Sequence, residues 1–308
     1  MANKGMITTA LLLAGTLIAV PLLAFKFDQP LSPVQIGMLK DVTWLMLGVA
    51  GLCFLVGELT RNVSQVDKLW SIVPVLYAWV VCAEGGYQPR MVLMSVLATI
   101  WGVRLTYNFS RHGGYSWKFW SGAEDYRWAH VRQNPGLNTR IGWTLFNLLF
   151  ICLYQNALLL LIALPILMTH AAPRPLGVAD AVLALAFVGL VILETTADQQ
   201  QWNFQAEKKR RLAAGEKADG RYANGFIHDG LWARSRHPNY FAEQSIWVVF
   251  FLFSVAASGR INWSIAGCLL LILLFRGSSN LSESLQSQKY PAYVDYQQRV
   301  PRFLPKLF

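Results

Sequence analysis

The 308-residue chain is 54% hydrophobic and only 14% charged, with mean hydropathy +0.35 and a formal net charge of +10. A soluble domain carries roughly 25% charged residues; here the deficit falls in long apolar runs, which excludes an ordinary soluble fold and points to an integral membrane protein. The positive charge collects in loops between those runs, as the positive-inside rule expects, and no RNA-binding or zinc-finger pattern accompanies it, so nucleic acid is not an expected partner.

In chain order, eight apolar segments approach the ~20 residues that a hydrocarbon core requires. They cover 6–25, 41–59, 66–83, 91–109, 142–168, 177–197, 240–258 and 261–276. The expected fold is therefore all-α, a polytopic membrane bundle of about 7–8 transmembrane helices forming one domain over residues 1–308. The first segment reads as a retained span rather than a signal peptide, because it lacks an A-x-A cleavage site and further spans follow. Loops 110–140 and 198–239 and the C-terminal tail hold most of the Lys and Arg, whereas the opposite turns are poorer in both. Both termini and these loops are expected on the cytoplasmic side of a bacterial inner membrane. Cys53, Cys82, Cys152 and Cys268 all lie in apolar runs without a C-x-x-C pair, and the five histidines show no ligand spacing. Neither disulfides nor a metal are expected.

Polar residues at membrane depth are costly and call for a reason. Asp67 opens the third segment in NVSQVDKLWSIVP. Two readings stand: an acid whose burial lets it hydrogen-bond a substrate carbonyl, or a helix-start acid favoured by the macrodipole or paired with Lys68 or Arg61. Tyr107, near the end of the fourth segment, is either an interfacial anchor or a phenol facing a pocket. The sixth segment ends in LETTADQQQWNFQAEKKR, where Glu194, Asp198 and Gln201 share a face at i, i+4, i+7. That face suits hydrogen bonds to a nicotinamide amide and ribose hydroxyls, or simply continues into solvent as a charged helix.

The densest polar stretch is Gly225 to Gln244, GFIHDGLWARSRHPNYFAEQ. It places Arg234, Arg236, His237, Asn239, Tyr240 and Glu243 beside a helix start set by Pro238, whose missing N–H is unpaired in a first turn anyway. Asn239 and Glu243 lie four apart on one face. A helix N-terminus beside two arginines suits a phosphate-bearing ligand; a basic loop re-entering the membrane is the plainer alternative. The tail, SSNLSESLQSQKYPAYVDYQQRVPRFLP, carries Glu283, Tyr290, Tyr293 and Tyr296 and alone reads as an amphipathic surface helix. No G-x-G-x-x-G, Walker A, H-E-x-x-H or G-x-S-x-G motif is present, so a nucleotide would have to sit between helices and loops rather than in a Rossmann site.

GLWARSRHPNYFAEQ, the ETTADQQ before it and KYPAYVDYQQRVPRFLP after it resemble the C-terminal domain of the steroid 5-alpha-reductase family. NVSQVDKLWS, WGVRLTYN and GAEDYRWAHVR resemble its bacterial branch, long filed as a domain of unknown function, so the likeness runs from about residue 60 to the end. The resemblance implies a helical membrane oxidoreductase that uses NADPH to reduce a carbon–carbon double bond conjugated to a carbonyl in a lipophilic, steroid-like or isoprenoid substrate. It implies that 1–60 supplies N-terminal spans, 61–140 the substrate and catalytic half, and 141–308 the cofactor half. By position it implies cofactor contacts at Asp198, Asn239, Glu243, Glu283 and Tyr290, at Glu194 where steroid reductases more often have Asn, and a catalytic pair of Asp67 and Tyr107; beside these the residues themselves suggest cofactor contacts at Gln201, Arg236, His237 and Tyr240, with Arg236 and the basic loop holding phosphates. The Gln-Glu pair typical of steroid enzymes is absent. Two other classes share features: S-adenosylmethionine-dependent isoprenylcysteine or phospholipid methyltransferases, through the R-H-P-x-Y turn, and a non-enzymatic sterol-binding protein of the same fold. Asn239 after His-Pro and the ETTADQQ face favour the reductase.

Overall fold

The computed structural model describes Gly15, Gly122 and residues 19–26, 28–118, 124–216 and 219–306. Every regular element among them is helical. In chain order, after helical residues 19–26, these are α1 (Pro33–Thr60), α2 (Gln65–Leu69), α3 (Val73–Glu84), α4 (Pro89–Arg111), α5 (Tyr126–Arg132), α6 (Arg140–Thr169), α7 (Val178–Ala213), two short 3-10 helices (Gly220–Tyr222 and Gly230–Ala233), α8 (Pro238–Ser258), α9 (Ile265–Lys289) and α10 (Tyr293–Arg299). The all-α expectation holds. Six of the helices (α1, α4, α6, α7, α8 and α9) are long and apolar enough to cross a membrane.

That count falls below the seven or eight expected, for identifiable reasons. The first expected span, 6–25, lies mostly outside the described residues. Segment 66–83 is not one helix: it breaks after α2, and α3 has only 12 residues. Asp67 and Lys68 keep its first part polar, and Pro74 lacks the N–H that a helix interior would need, so a new helix starts at Val73. Pro33 likewise opens α1, where Ser32 and Gln35 form a reciprocal capping box. Helix α7 runs on to Ala213, well past the expected end at 197.

The chain divides into two compact units, Met1–Ala184 with Val248–Leu271 and Leu185–Trp247 with Ile272–Phe308. In the first unit α6 is the buried centre, with 78% of its apolar window enclosed. Its middle, Asn147–Tyr154, is a π-helix. Along it Trp143, Phe146, Phe150 and Tyr154 stack, with successive ring centroids 5.6, 5.0 and 5.2 Å apart. Gly267 meets this helix so closely that a Cβ there would lie 2.4 Å from the Leu161 carbonyl oxygen, the small-residue contact that lets membrane helices approach.

Polar bonds close both ends of this unit. At one end the buried Arg90 pairs with Asp180 at 2.7 Å and donates to the Arg174 and Pro175 carbonyls. There Asp28 accepts from Arg260 and from the Trp263 N–H. At the other, Asn62 donates to the Gly122 carbonyl, Val63 N–H to Glu124, and Asp125 N–H to the Ser64 hydroxyl. The second unit is stitched by its tail: Arg236 and His237 N–H groups donate to the Pro301 and Arg302 carbonyls, and Lys306 N–H to Arg234. The tail is thus not a surface helix. Tyr293 and Tyr296 are each 5% exposed and pack on Phe226.

Candidate functional site

The second unit contains a polar pocket of about 360 Å³. Its walls come from the end of α7 (Gln201, Gln205, Lys208), the loop Gly225–Ile227 with Trp232, the start of α8 (Arg236 to Tyr240) and the end of α9 with the tail (Ser282, Gln286, Lys289, Tyr290, Tyr293, Tyr296). The dense polar stretch, the acidic helix end and the tail therefore converge on one place. Six of the twelve expected residues line it: Gln201, Arg236, His237, Asn239, Tyr240 and Tyr290.

Asp198 stands directly behind this wall. Its carboxylate accepts from Asn239 Nδ2 at 3.0 Å, while Asn239 Oδ1 accepts from the Tyr240 N–H at 3.0 Å. The Asn239 side chain is held between the two. His237 and Tyr240 stack nearly parallel, 5.1 Å apart.

Glu283 lies under the pocket, 2% exposed. Its carboxylate accepts from Arg236 Nε and Nη2, His237 Nε2, Gln297 Nε2 and Arg302 Nη2. Arg236 Nη1 donates to the Gln297 and Val300 carbonyls. Arg236 was expected to hold phosphates. Instead each of its three nitrogens serves a protein acceptor, so it acts as the clamp that fixes the tail beneath the α8 start. Glu243 is buried and accepts from Trp247 Nε1 at 3.1 Å, and Glu194 is 4% exposed; neither is among the lining residues.

The mouth carries cations that sequence reasoning assigned only to topology. Lys208 Nζ donates to the Gly225 carbonyl at 2.6 Å and to the Tyr290 hydroxyl at 2.8 Å. Lys208 and Lys289 ammonium groups lie 4.9 and 5.3 Å from the Tyr290 ring centre. Burial raises the Tyr290 phenol, but hydrogen bonds from Lys208 and Lys289, with their charges, outweigh it and hold the phenol below its ordinary value. Gly225 has φ +75°, and a Cβ there would be 2.4 Å from the Tyr290 ring, so only glycine allows the ring to press on this turn. A signal for Lys208 was available: the spacing that groups Glu194, Asp198 and Gln201 continues to Gln205 and Lys208.

The expected catalytic pair lies in the first unit, each member with its own neighbours. Burial pushes the Asp67 carboxyl up, against a smaller opposing hydrogen bond from Ser64, and its Oδ2 has no hydrogen-bond partner. The Trp128 indole adjoins it and also lines a cleft of about 420 Å³ with Glu124, Arg132 and Trp143. Tyr107, by contrast, is 68% exposed, its ring 5.8 Å from the Arg111 guanidinium. That surroundings match an interfacial anchor, not a phenol enclosed in a pocket. Among the described residues no group of three or more His, Cys, Asp or Glu is arranged to hold a metal.

Fold and site together define an all-α integral membrane protein with six candidate spans among the described residues and a polar, cation-rimmed pocket. Residues 53–300 match the family described as "Protein of unknown function (DUF1295)", and the chain belongs to that family. It is 38% identical over 262 residues to a Schizosaccharomyces pombe protein, "Uncharacterized protein C594.04c", covering 80% of this chain and 74% of the fungal one. No solved structure matches.

Proposed function

We propose that the protein is an NADPH-dependent membrane reductase acting on a carbon–carbon double bond conjugated to a carbonyl in a lipophilic substrate. The observation that carries this reading is the charge of the pocket in the second unit. Its lining includes no carboxylate and carries Lys208 and Lys289 beside Arg236 and His237, and while Glu283 beneath the wall engages the latter two, the two lysines pair with no acid among the described residues. A pocket with that balance favours a polyanionic nucleotide over S-adenosylmethionine, whose sulfonium is positive. The remaining lining also fits: Tyr240, Tyr290 and Trp232 offer flat apolar faces, and amides of Gln201, Gln205, Gln286 and Asn239 offer donors and acceptors. The buried side-chain oxygens of Gln201 and Gln286 have no hydrogen-bond partner, and an unmet acceptor costs about 1–3 kcal/mol. An amide or amino group of a bound nucleotide would relieve that cost.

When bound, NADPH would supply the hydride. The chain's own part is to hold and orient it: Asn239, fixed by Asp198, presents a rigid amide, and the Lys208–Tyr290–Lys289 rim meets negative charge. Asp67 is the proposed donor to the substrate carbonyl, because a carboxyl kept neutral by burial can donate a hydrogen bond where charge develops. In the same reading the protein sits in a bacterial inner membrane, with loops 110–140 and 198–239 cytoplasmic.

The test is cofactor binding by the detergent-solubilised protein, read as thermal stabilisation by NADPH, NADH and S-adenosylmethionine. A ligand at 100 times its Kd should add about 2.7 kcal/mol. Stabilisation by NADPH supports the reductase. Stabilisation by S-adenosylmethionine alone replaces it with a methyltransferase, and stabilisation by none leaves no basis for a nucleotide pocket.

A further inference from the structure

We infer that Lys208 and Lys289, arranged around the Tyr290 ring, form a phosphomonoester subsite that selects NADPH over NADH. The inference rests on the reductase reading and adds the residues that decide between two cofactors differing by one ribose phosphate.

The argument is one of charge and commitment. Four cationic or basic side chains line the pocket, but they are not equivalent. Arg236 and His237 are engaged by Glu283 beneath the wall. Lys208 and Lys289 form no ion pair with any Asp or Glu among the described residues, which include every acidic residue of the chain. Their contacts at this place are neutral: a carbonyl, a phenol and the face of a ring. Two like charges around one aromatic ring repel each other, and nothing in the pocket lining offsets them. A phosphomonoester carries about −1.5 to −2 charges at neutral pH, which matches two ammonium groups. The dinucleotide bridge also carries two negative charges, but spread over two phosphates, whereas two ammonium groups gathered at one ring suit the dianion concentrated on a single phosphate.

Position supports the same assignment. Lys208 is half-buried and fixed by two bonds, so little side-chain freedom remains to be lost when an anion arrives. Lys289 is exposed and adjacent in sequence to Tyr290, whose phenol it meets, so its ammonium group stands where a ligand's anion can reach it. The Tyr290 ring beside them is itself locked against Gly225. A flat ring with two cations gathered near its phenol is suited to a purine ribose whose phosphate projects to the rim.

The experiment compares NADPH and NADH affinities, by titration of detergent-solubilised protein, for the native chain, Lys289→Ala and Lys208→Ala. The native chain should bind NADPH at least tenfold more tightly than NADH. Lys289→Ala, at an exposed position, should lose about tenfold in NADPH affinity with NADH within twofold of native, since a charge-assisted bond is removed from one ligand only. Lys208→Ala should do the same, provided its melting temperature without ligand is native-like. Equal loss of both cofactors would place the lysines on the shared diphosphate and overturn the inference. So would native protein that binds both dinucleotides equally, while the reductase reading survived. Native protein that binds neither dinucleotide removes the reductase reading itself.

Discussion

Asn239 is the residue on which the pocket's polar wall turns. Its amide spans Asp198 on one side and the first turn of α8 on the other, so it presents one orientation to the cavity. Asn239→Ala should weaken NADPH binding by about 1–3 kcal/mol, measured by the same titration; native affinity would remove Asn239 from the site. Asp67 invites a different measurement. Its folded-state carboxyl is raised above the unfolded value, chiefly by burial. The folded chain then holds this proton to higher pH than the unfolded chain does, so Asp67 lowers stability as pH rises from its unfolded range through its folded one. Below that window the carboxyl is neutral in both states and contributes no penalty. Asp67→Asn should therefore be neutral at acid pH and increasingly stabilising toward neutral pH, with turnover lost. A stability difference that does not change with pH would show that the carboxyl is not enclosed.

At the scale of elements, the tail α10 gives the pocket Tyr293 and Tyr296, and the residues after it anchor the start of α8. They supply the carbonyls that receive the Arg236 and His237 N–H groups and the Arg236 guanidinium. Glu283 holds this junction from α9. Its removal leaves Arg236 a buried, partly unpaired cation, and breaking such a pair costs about 3–5 kcal/mol. Glu283→Ala should lower stability by that amount in a denaturant titration and abolish NADPH binding, whereas Glu283→Gln, which keeps acceptor capacity, should retain more of both. Equal, small effects would show that the network does not support the pocket.

The helices themselves were largely legible in the chain, because apolar run length and opening prolines at Pro33, Pro89 and Pro238 are local signals. The break at α2–α3 was less so, since Trp70 and Ile72 keep the hydropathy high while Pro74 resets the helix. The site was half legible. Asn239, Tyr240 and Gln201 stand in dense polar motifs, but Lys208 and Tyr290 meet across 82 residues, a contact that no local pattern encodes. Arg236 misled for a related reason: whether a guanidinium faces ligand or protein depends on Glu283, which lies 47 residues away.

For the whole molecule, the distribution of charge and the internal bonding of the turns make the same division. The turns poor in Lys and Arg are bonded to one another: Ala171 N–H donates to Gln88, Arg174 N–H to the Ala257 carbonyl, and Arg90 bridges Asp180 to Arg174 and Pro175. At the other end of the same unit, Asn62 to Ser64 bond to the basic loop at Gly122 to Asp125. If the basic loops are cytoplasmic, positions in the first group of turns must face the opposite compartment. All four native cysteines are buried, so single introduced cysteines can be labelled with little background. Trp117→Cys, at a fully exposed site in loop 110–140, should react with a membrane-impermeant maleimide only in inverted vesicles. Leu176→Cys and Ile261→Cys, 48% and 70% exposed in the opposite turns, should react only in intact cells. The reverse pattern would turn the molecule over and place the basic loop 198–239 away from the cytoplasmic pool of NADPH, which would end the reductase proposal independently of any binding measurement.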